Sequence, residues 1–179
     1  MKSADVISFW FDECEPENWF KKDEVFDETI RKRFGSAHTR AAAGEFSDWR
    51  VSAEGRLAEV IVLDQFSRNL FRDRPESFAY DGIALVLAQE AISLGMDHDL
   101  TSTQRSFMYM PFMHSESLVI HDKAVELFTE LGNELNLRFE HMHRDIIKKY
   151  GRYPHRNEIL GRVSTADEVD FLAQPGSSF

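Results

Sequence analysis

Apolar residues in this chain recur at steps of three and four and scarcely anywhere at steps of two, and that periodicity limits the fold more than any other feature. Phe26, Ile30, Phe34, Ala37 and Ala41 make one stripe, closed by Gly44. Ser52 stands where a cap belongs for a helix that runs through RLAEVIVLDQFSRNLF to about Phe71. The unbroken apolar run from Val60 to Leu63 implies that this helix is buried on most sides. DGIALVLAQEAISLG predicts a helix over 81–95 that stops at Gly95. No alternating run is bounded by Asn-Gly or Asp-Gly turns, so the expected class is all-α, built of antiparallel helix hairpins in a bundle or solenoid.

The second half follows the same rule. Thr101 or Ser102 caps a segment containing QRSFMYMPFMHSES, in which Pro111 removes a backbone donor and is expected to break or kink the helix. Leu118, Val125, Phe128 and Leu131 lead to Gly132, and Leu135, Phe139, Met142, Ile146 and Tyr150 share a stripe that ends in Lys148, Lys149 and Gly151. YGRYPHRNEILGR predicts a helical knuckle that opens at Pro154 and closes at Gly161 after about two turns. Ser164 is expected to cap a last short helix, TADEVDFLA, before the coil QPGSSF.

A chain of 179 residues without a linker is expected to form one domain over 1–179, and its fifteen phenylalanines and three tryptophans supply a substantial core. Cys14 is the only cysteine, which excludes an internal disulfide and a cysteine-based zinc site. The start lacks the uninterrupted apolar core of a signal peptide, and no apolar run approaches the ~20 residues of a membrane span. A cytoplasmic protein is expected. Its net charge of −10 argues against nucleic acid as a partner. The acidity is uneven, because residues 138–162 carry seven lysines and arginines against three acids. The chain's own carboxylates are the simplest partners for that segment.

Three stretches carry candidate chemistry. In LDQFSRNLFR, Asp64, Arg68 and Arg72 follow one another at steps of four along a flank with buried neighbours, so they need partners or a wet cavity. An internal ion-pair network and a ligand pocket both satisfy that need. In YMPFMHSES, His114 points inward if the backbone stays helical past Pro111, while Glu116 faces away from it. In FEHMHRD, Glu140 and His143 have the Glu-x-x-His spacing of di-iron bundles, but no second copy exists. His141 and His143 lie ~200° apart on a helix, so they do not share a metal. No Walker-type loop, Gly-x-Ser-x-Gly, His-Glu-x-x-His or dinucleotide fingerprint is present, and no metal or cofactor is expected.

VISFWF, LDQFSRNLFR, YMPFMHSES, HRDIIKKYGRYPHRNEILGR and FLAQPGSSF, in this order, resemble the bacterial family called domain of unknown function 924. The resemblance covers nearly the whole chain and implies an all-α fold of the tetratricopeptide-repeat-like kind, without an established activity. One departure is Ser67, where the family pattern has proline. Carried over by position, the motifs point to Asp64, Gln65, Arg68, Asn69 and Arg72, to His114 and Glu116, and to His143, Arg144, Arg152, His155, Arg156 and Asn157.

These residues are expected to line one polar cleft, with the acid partners of Arg152 and Arg156 at Asp64 or Glu116. The leading expectation is a helical binding module that takes a small anionic molecule or an acidic peptide on Arg68, Arg72, Arg152 and Arg156. An alternative is an enzyme with His114 or His143 as general base, oriented by Glu116 or Asp145, and arginines stabilising developing charge. A third is a purely structural ion-pair network.

Overall fold

The structure, a computed structural model, describes residues 1–177 and among them contains eight α-helices and no strand. The helices are α1 (Ser3–Ser8), α2 (Glu24–Ala42), α3 (Ala53–Leu70), α4 (Asp81–Ser93), α5 (Ser102–Met113), α6 (Leu118–Leu131), α7 (Glu134–Tyr150) and α8 (Ala166–Leu172). The all-α class expected from the periodicity is therefore the one found. None of the helices is long and apolar enough to cross a membrane.

Local signals set most of the boundaries. Asp23 caps α2 by accepting from the amides of Val25 and Phe26, and the Ser52 hydroxyl caps α3 through the Gly55 amide. Gly132 and Gly151 end α6 and α7 at φ 75° and 71°, in the left-handed region where a Cβ is penalised. Four details differ from expectation. Pro111 neither breaks nor shortens α5, because the helix ends two residues later at Met113, where little of it remains to disrupt. The knuckle is one 3₁₀ turn, Pro154–Arg156, followed by hydrogen-bonded turns to Gly161. Thr165 caps α8 in Ser164's place, since Glu168 stands three residues beyond it and completes a reciprocal capping box. Finally, Leu135, Phe139 and Met142 are exposed, because α7 turns Glu140, His143 and Ile147 inward. Residues 178 and 179 of the closing coil lie outside the described residues.

The chain divides into two compact units. The first comprises residues 1–72 and 76–111 and is organised on α3, which packs against α1, α2 and α4 and is buried along nearly its whole length. Ala84, Ala88 and Ala91 give α4 a face of small side chains with no exposure or almost none, so its backbone can approach α3 closely. Phe9, Trp10, Phe34, Phe66 and Phe107 fill the rest of this core as a web of tilted and edge-on rings. At Ser67 the hydroxyl donates to the Leu63 carbonyl at 2.5 Å and meets His38 Nε2 at 2.8 Å. Serine thus leaves α3 unbroken to Leu70 and binds it to α2.

The second unit comprises residues 73–75 and the chain from Phe112 onward. α6 and α7 form its hairpin, joined through Gly132 and Asn133 and tied across by Asp122 with Arg144. Ile146, Ile147 and Tyr153, with Tyr150 and Phe171 against them, make its apolar cluster.

Two glycines in helices of the first unit give a paired test. A Cβ on Gly55 would lie 1.9 Å from the Trp49 carbonyl oxygen, whereas one on Gly35 would meet nothing within 4 Å. Gly55→Ala should therefore cost ~1–3 kcal/mol of stability through forced backbone movement. Gly35→Ala should add ~0.5–1 kcal/mol by lowering the entropy of the unfolded chain. Urea unfolding of both variants beside the parent checks the two opposite signs.

Candidate functional site

The candidate residues fall into two groups, one in each unit. In the first unit Asp64 is fully buried on α3 and accepts from Gln65 Nε2 at 2.6 Å. Arg68 lies one turn on. Its Nη1 is 3.3 Å from Asp64 Oδ1 and donates to the Asp64 carbonyl at 2.7 Å, while both terminal nitrogens reach Asp81 at 2.9 and 3.1 Å. Asn69 and Arg72 converge on Asp27 of α2, the amide at 2.8 Å and the guanidinium through two bonds of 2.7 Å. Asp27 is the partner that spacing within one helix cannot show, lying 45 residues from Arg72. A signal existed, because Asp27 is in step with Ile30 and Phe34 on the inward stripe, and an inward acid needs a cation.

In the second unit the geometry is built on His121, a buried residue of α6 that the sequence motifs did not single out. Its Nε2 lies 2.8 Å from the Ser115 carbonyl, which can only accept, so Nε2 carries a proton. Its Nδ1 lies 2.7 Å from Glu140 Oε1, and a second proton is shared across that contact. Burial is the main cause that raises the Glu140 pKa, and the bond from His121 opposes it. Tyr153, also fully buried, donates its hydroxyl to the Met113 carbonyl at 2.5 Å and stands 3.2 Å from His121 Nε2.

Rings collect around Tyr153. His143, His155 and His121 have ring centroids 5.8, 5.5 and 6.2 Å away, and the Arg156 guanidinium lies over the tyrosine face at 4.7 Å. Arg156 also donates to the His114 carbonyl at 3.1 Å. The His143 Nδ1 proton goes to the Phe139 carbonyl at 2.8 Å, which fixes the tautomer and leaves the Nε2 lone pair as an acceptor. Burial lowers the His143 pKa to about 3; the bond to Phe139 pulls upward, and the nearby His114, His121 and His155 push it down further.

The knuckle itself is fastened by acids. Glu116 accepts from the Tyr153 amide at 2.7 Å and from Arg162 through bonds of 2.7 and 2.9 Å. Arg152 makes two 2.7 Å bonds to Glu168, whose carboxyl this partner holds down at about 2. Asn157 bonds Ser164 and Glu168 and accepts from Arg162, and Arg144 pairs with Asp122. Arg152 is hydrogen-bonded to an acid that was not expected, Glu168, while the expected Glu116 lies within the field of both Arg152 and Arg156. α5 ends at Met113, so helical spacing does not hold at His114, and Glu116 binds the Tyr153 amide and Arg162. Asp145 is exposed and orients neither histidine.

The family described as bacterial protein of unknown function (DUF924) matches residues 6–176. The chain belongs to this family. It is similar to a solved structure, that of a protein of unknown function from Agrobacterium tumefaciens, with 40% identity, a TM-score of 0.91 and 96% of each chain covered. No curated protein matches. In this DUF924 chain no group of three or more histidine, cysteine or carboxylate side chains among the described residues is arranged to hold a metal ion.

Two predictions follow from the pairing. Asp27→Ala leaves Asn69 and Arg72 facing each other without their acid, and should cost about 3 kcal/mol in urea unfolding. The second concerns pH. Burial lowers His38 to about 4 and His143 to about 3, against an unfolded value near ~6.5. The unfolded chain takes up both protons before the folded chain does, so their contribution is present above that value and is lost as pH falls below it. Each contributes a slope of up to ~1.4 kcal/mol per pH unit. The lowered Glu116 and Glu168 add acid loss only at lower pH, and the raised Glu140 works in the opposite sense. His143→Gln should reduce the loss of stability between pH 6.5 and 5, as measured by urea unfolding at several pH values.

Proposed function

We propose that the second unit binds a small anion at the cluster around Tyr153, through Arg156 and His155, with His114 and the Nε2 face of His143 beside them. One observation carries this: three histidine rings and an arginine gather on a single buried tyrosine. Of the acids in this unit, Glu140 is paired with His121, and Glu116 binds Arg162 while also lying within the field of Arg156. A guanidinium is planar and always charged, and its fork of N–H donors matches the geometry of a planar or tetrahedral anion. Arg68, Arg72, Arg144 and Arg152 instead act as structural cations, each hydrogen-bonded to a carboxylate of the same unit. The proposed site is thus narrower than the fork of arginines expected from sequence.

An enzymatic role with His143 as general base has less support. A group lowered to about 3 is a weak base, and proton transfer is most efficient when the catalytic pKa lies near the working pH.

The test is a thermal-shift titration with orthophosphate, a sugar phosphate, a dicarboxylate and an acidic peptide. A ligand that binds only the folded chain at a hundred times its Kd should add ~2.7 kcal/mol. At least one small anion should give a saturable shift that His155→Gln and Arg156→Lys reduce. A saturable shift with the peptide alone, or no saturable shift at all, refutes the small-anion assignment.

A further inference from the structure

The outer face of α7 carries an apolar stripe exposed to solvent. Leu135, Phe139 and Met142 follow one another at steps of four and three and are 59%, 41% and 38% exposed. Arg138 and Asp145 flank the stripe on one side, seven residues or ~10.5 Å apart along the axis. Both are exposed, and neither makes an ion pair with any other described residue. The opposite side of α7 is occupied, with Glu140 and His143 turned to the interior and Arg144 on Asp122 of α6.

We propose that this stripe is a self-association surface, on which a second copy of the chain packs its own α7 in the antiparallel sense. The charge pattern selects both the partner and the direction. Under a two-fold axis passing between residues 141 and 142, Arg138 of each copy meets Asp145 of the other, while Phe139 and Met142 of the two copies interleave at the centre. A parallel arrangement would set Arg138 against Arg138 and Asp145 against Asp145, which costs what the antiparallel one gains. Net charge supports the same occupant. The chain as a whole carries −10, so two copies repel over most of their surfaces, whereas Glu134–Tyr150 carries three acids against four lysines and arginines. One helix face buries less than the roughly 1,200 Å² of a standard interface, so the association is weak, roughly micromolar or above.

Sedimentation velocity of the full chain from about 1 to 500 μM, at low salt, reads the proposal directly. The expected result is a concentration-dependent dimer. Arg138→Glu should raise its Kd by about tenfold or more, because symmetry loses two ion pairs and sets two like charges together. The exchange Arg138→Asp with Asp145→Arg should restore it, and Phe139→Glu should abolish it. All these positions are exposed, and far-ultraviolet circular dichroism checks that each variant keeps its helices. A monomer at every concentration overturns the proposal. So does a dimer indifferent to Arg138→Glu and Phe139→Glu, or a charge exchange that fails to restore association, which would point to a different partner or register on this face.

Discussion

A carboxylate taken out of water must be met by donors, and in both units that requirement decides which elements are joined. Asp27 is the clearest case in the first unit. Its two oxygens receive Asn69 and Arg72, so the first turn of α2 is bound to the last turn of α3 and to the residues beyond it. Glu116 does the same in the second unit, where one carboxylate holds the Tyr153 amide and the Arg162 fork and thereby closes the irregular segment 153–162. Apolar burial supplies most of the driving force for folding, but it is non-directional. Bidentate guanidinium–carboxylate bonds specify the register in which the apolar faces meet.

What the sequence made legible follows from the range over which each interaction acts. Helix existence is a matter of neighbours three and four residues apart, so α2, α3, α4, α6 and α7 are readable from spacing and from Ser52, Gly132 and Gly151. The need of Arg68 and Arg72 for acids is readable for the same reason. The identity of those acids is not, because Asp27 and Asp81 belong to other helices and nothing local distinguishes them from a solvated acid. His121 was missed on the same ground. Its importance lies in Glu140, Ser115 and Tyr153, which lie six to thirty-two residues away. The knuckle departs from the expected two-turn helix because Pro154 and Gly161 mark where a helix can start and stop, while the hydrogen bonds of Asn157 and Arg162 determine the turns between them.

The His121–Glu140 pair shows why α7 turns as it does. Hydrophobicity alone would bury the stripe of Leu135, Phe139 and Met142. Burying Glu140 instead is tolerable because the shared proton removes much of the desolvation penalty, and because Asp122 with Arg144 holds the same α6–α7 register. The rotation that brings Glu140 and His143 inward carries Leu135, Phe139 and Met142 outward. The polar interior and the apolar exterior of this helix have one cause.

The same economy shapes the chain's charge. Arginines committed to internal acids neutralise those acids without adding to the positive surface, so the excess acidity of the chain is left facing solvent. A surface of that kind opposes the close approach of identical copies. The 138–162 segment is the exception, with a surplus of cations over acids that its internal pairs only partly use. Electrostatic repulsion is therefore least where α7 exposes its apolar stripe. Neither property alone would make α7 an interface, since an apolar stripe on an acidic face would be kept apart and a balanced polar face would have nothing to bury. Their coincidence on one helix distinguishes it from the other exposed apolar residues, such as Ile83 and Val86 on α4, where the local charge offers no such match.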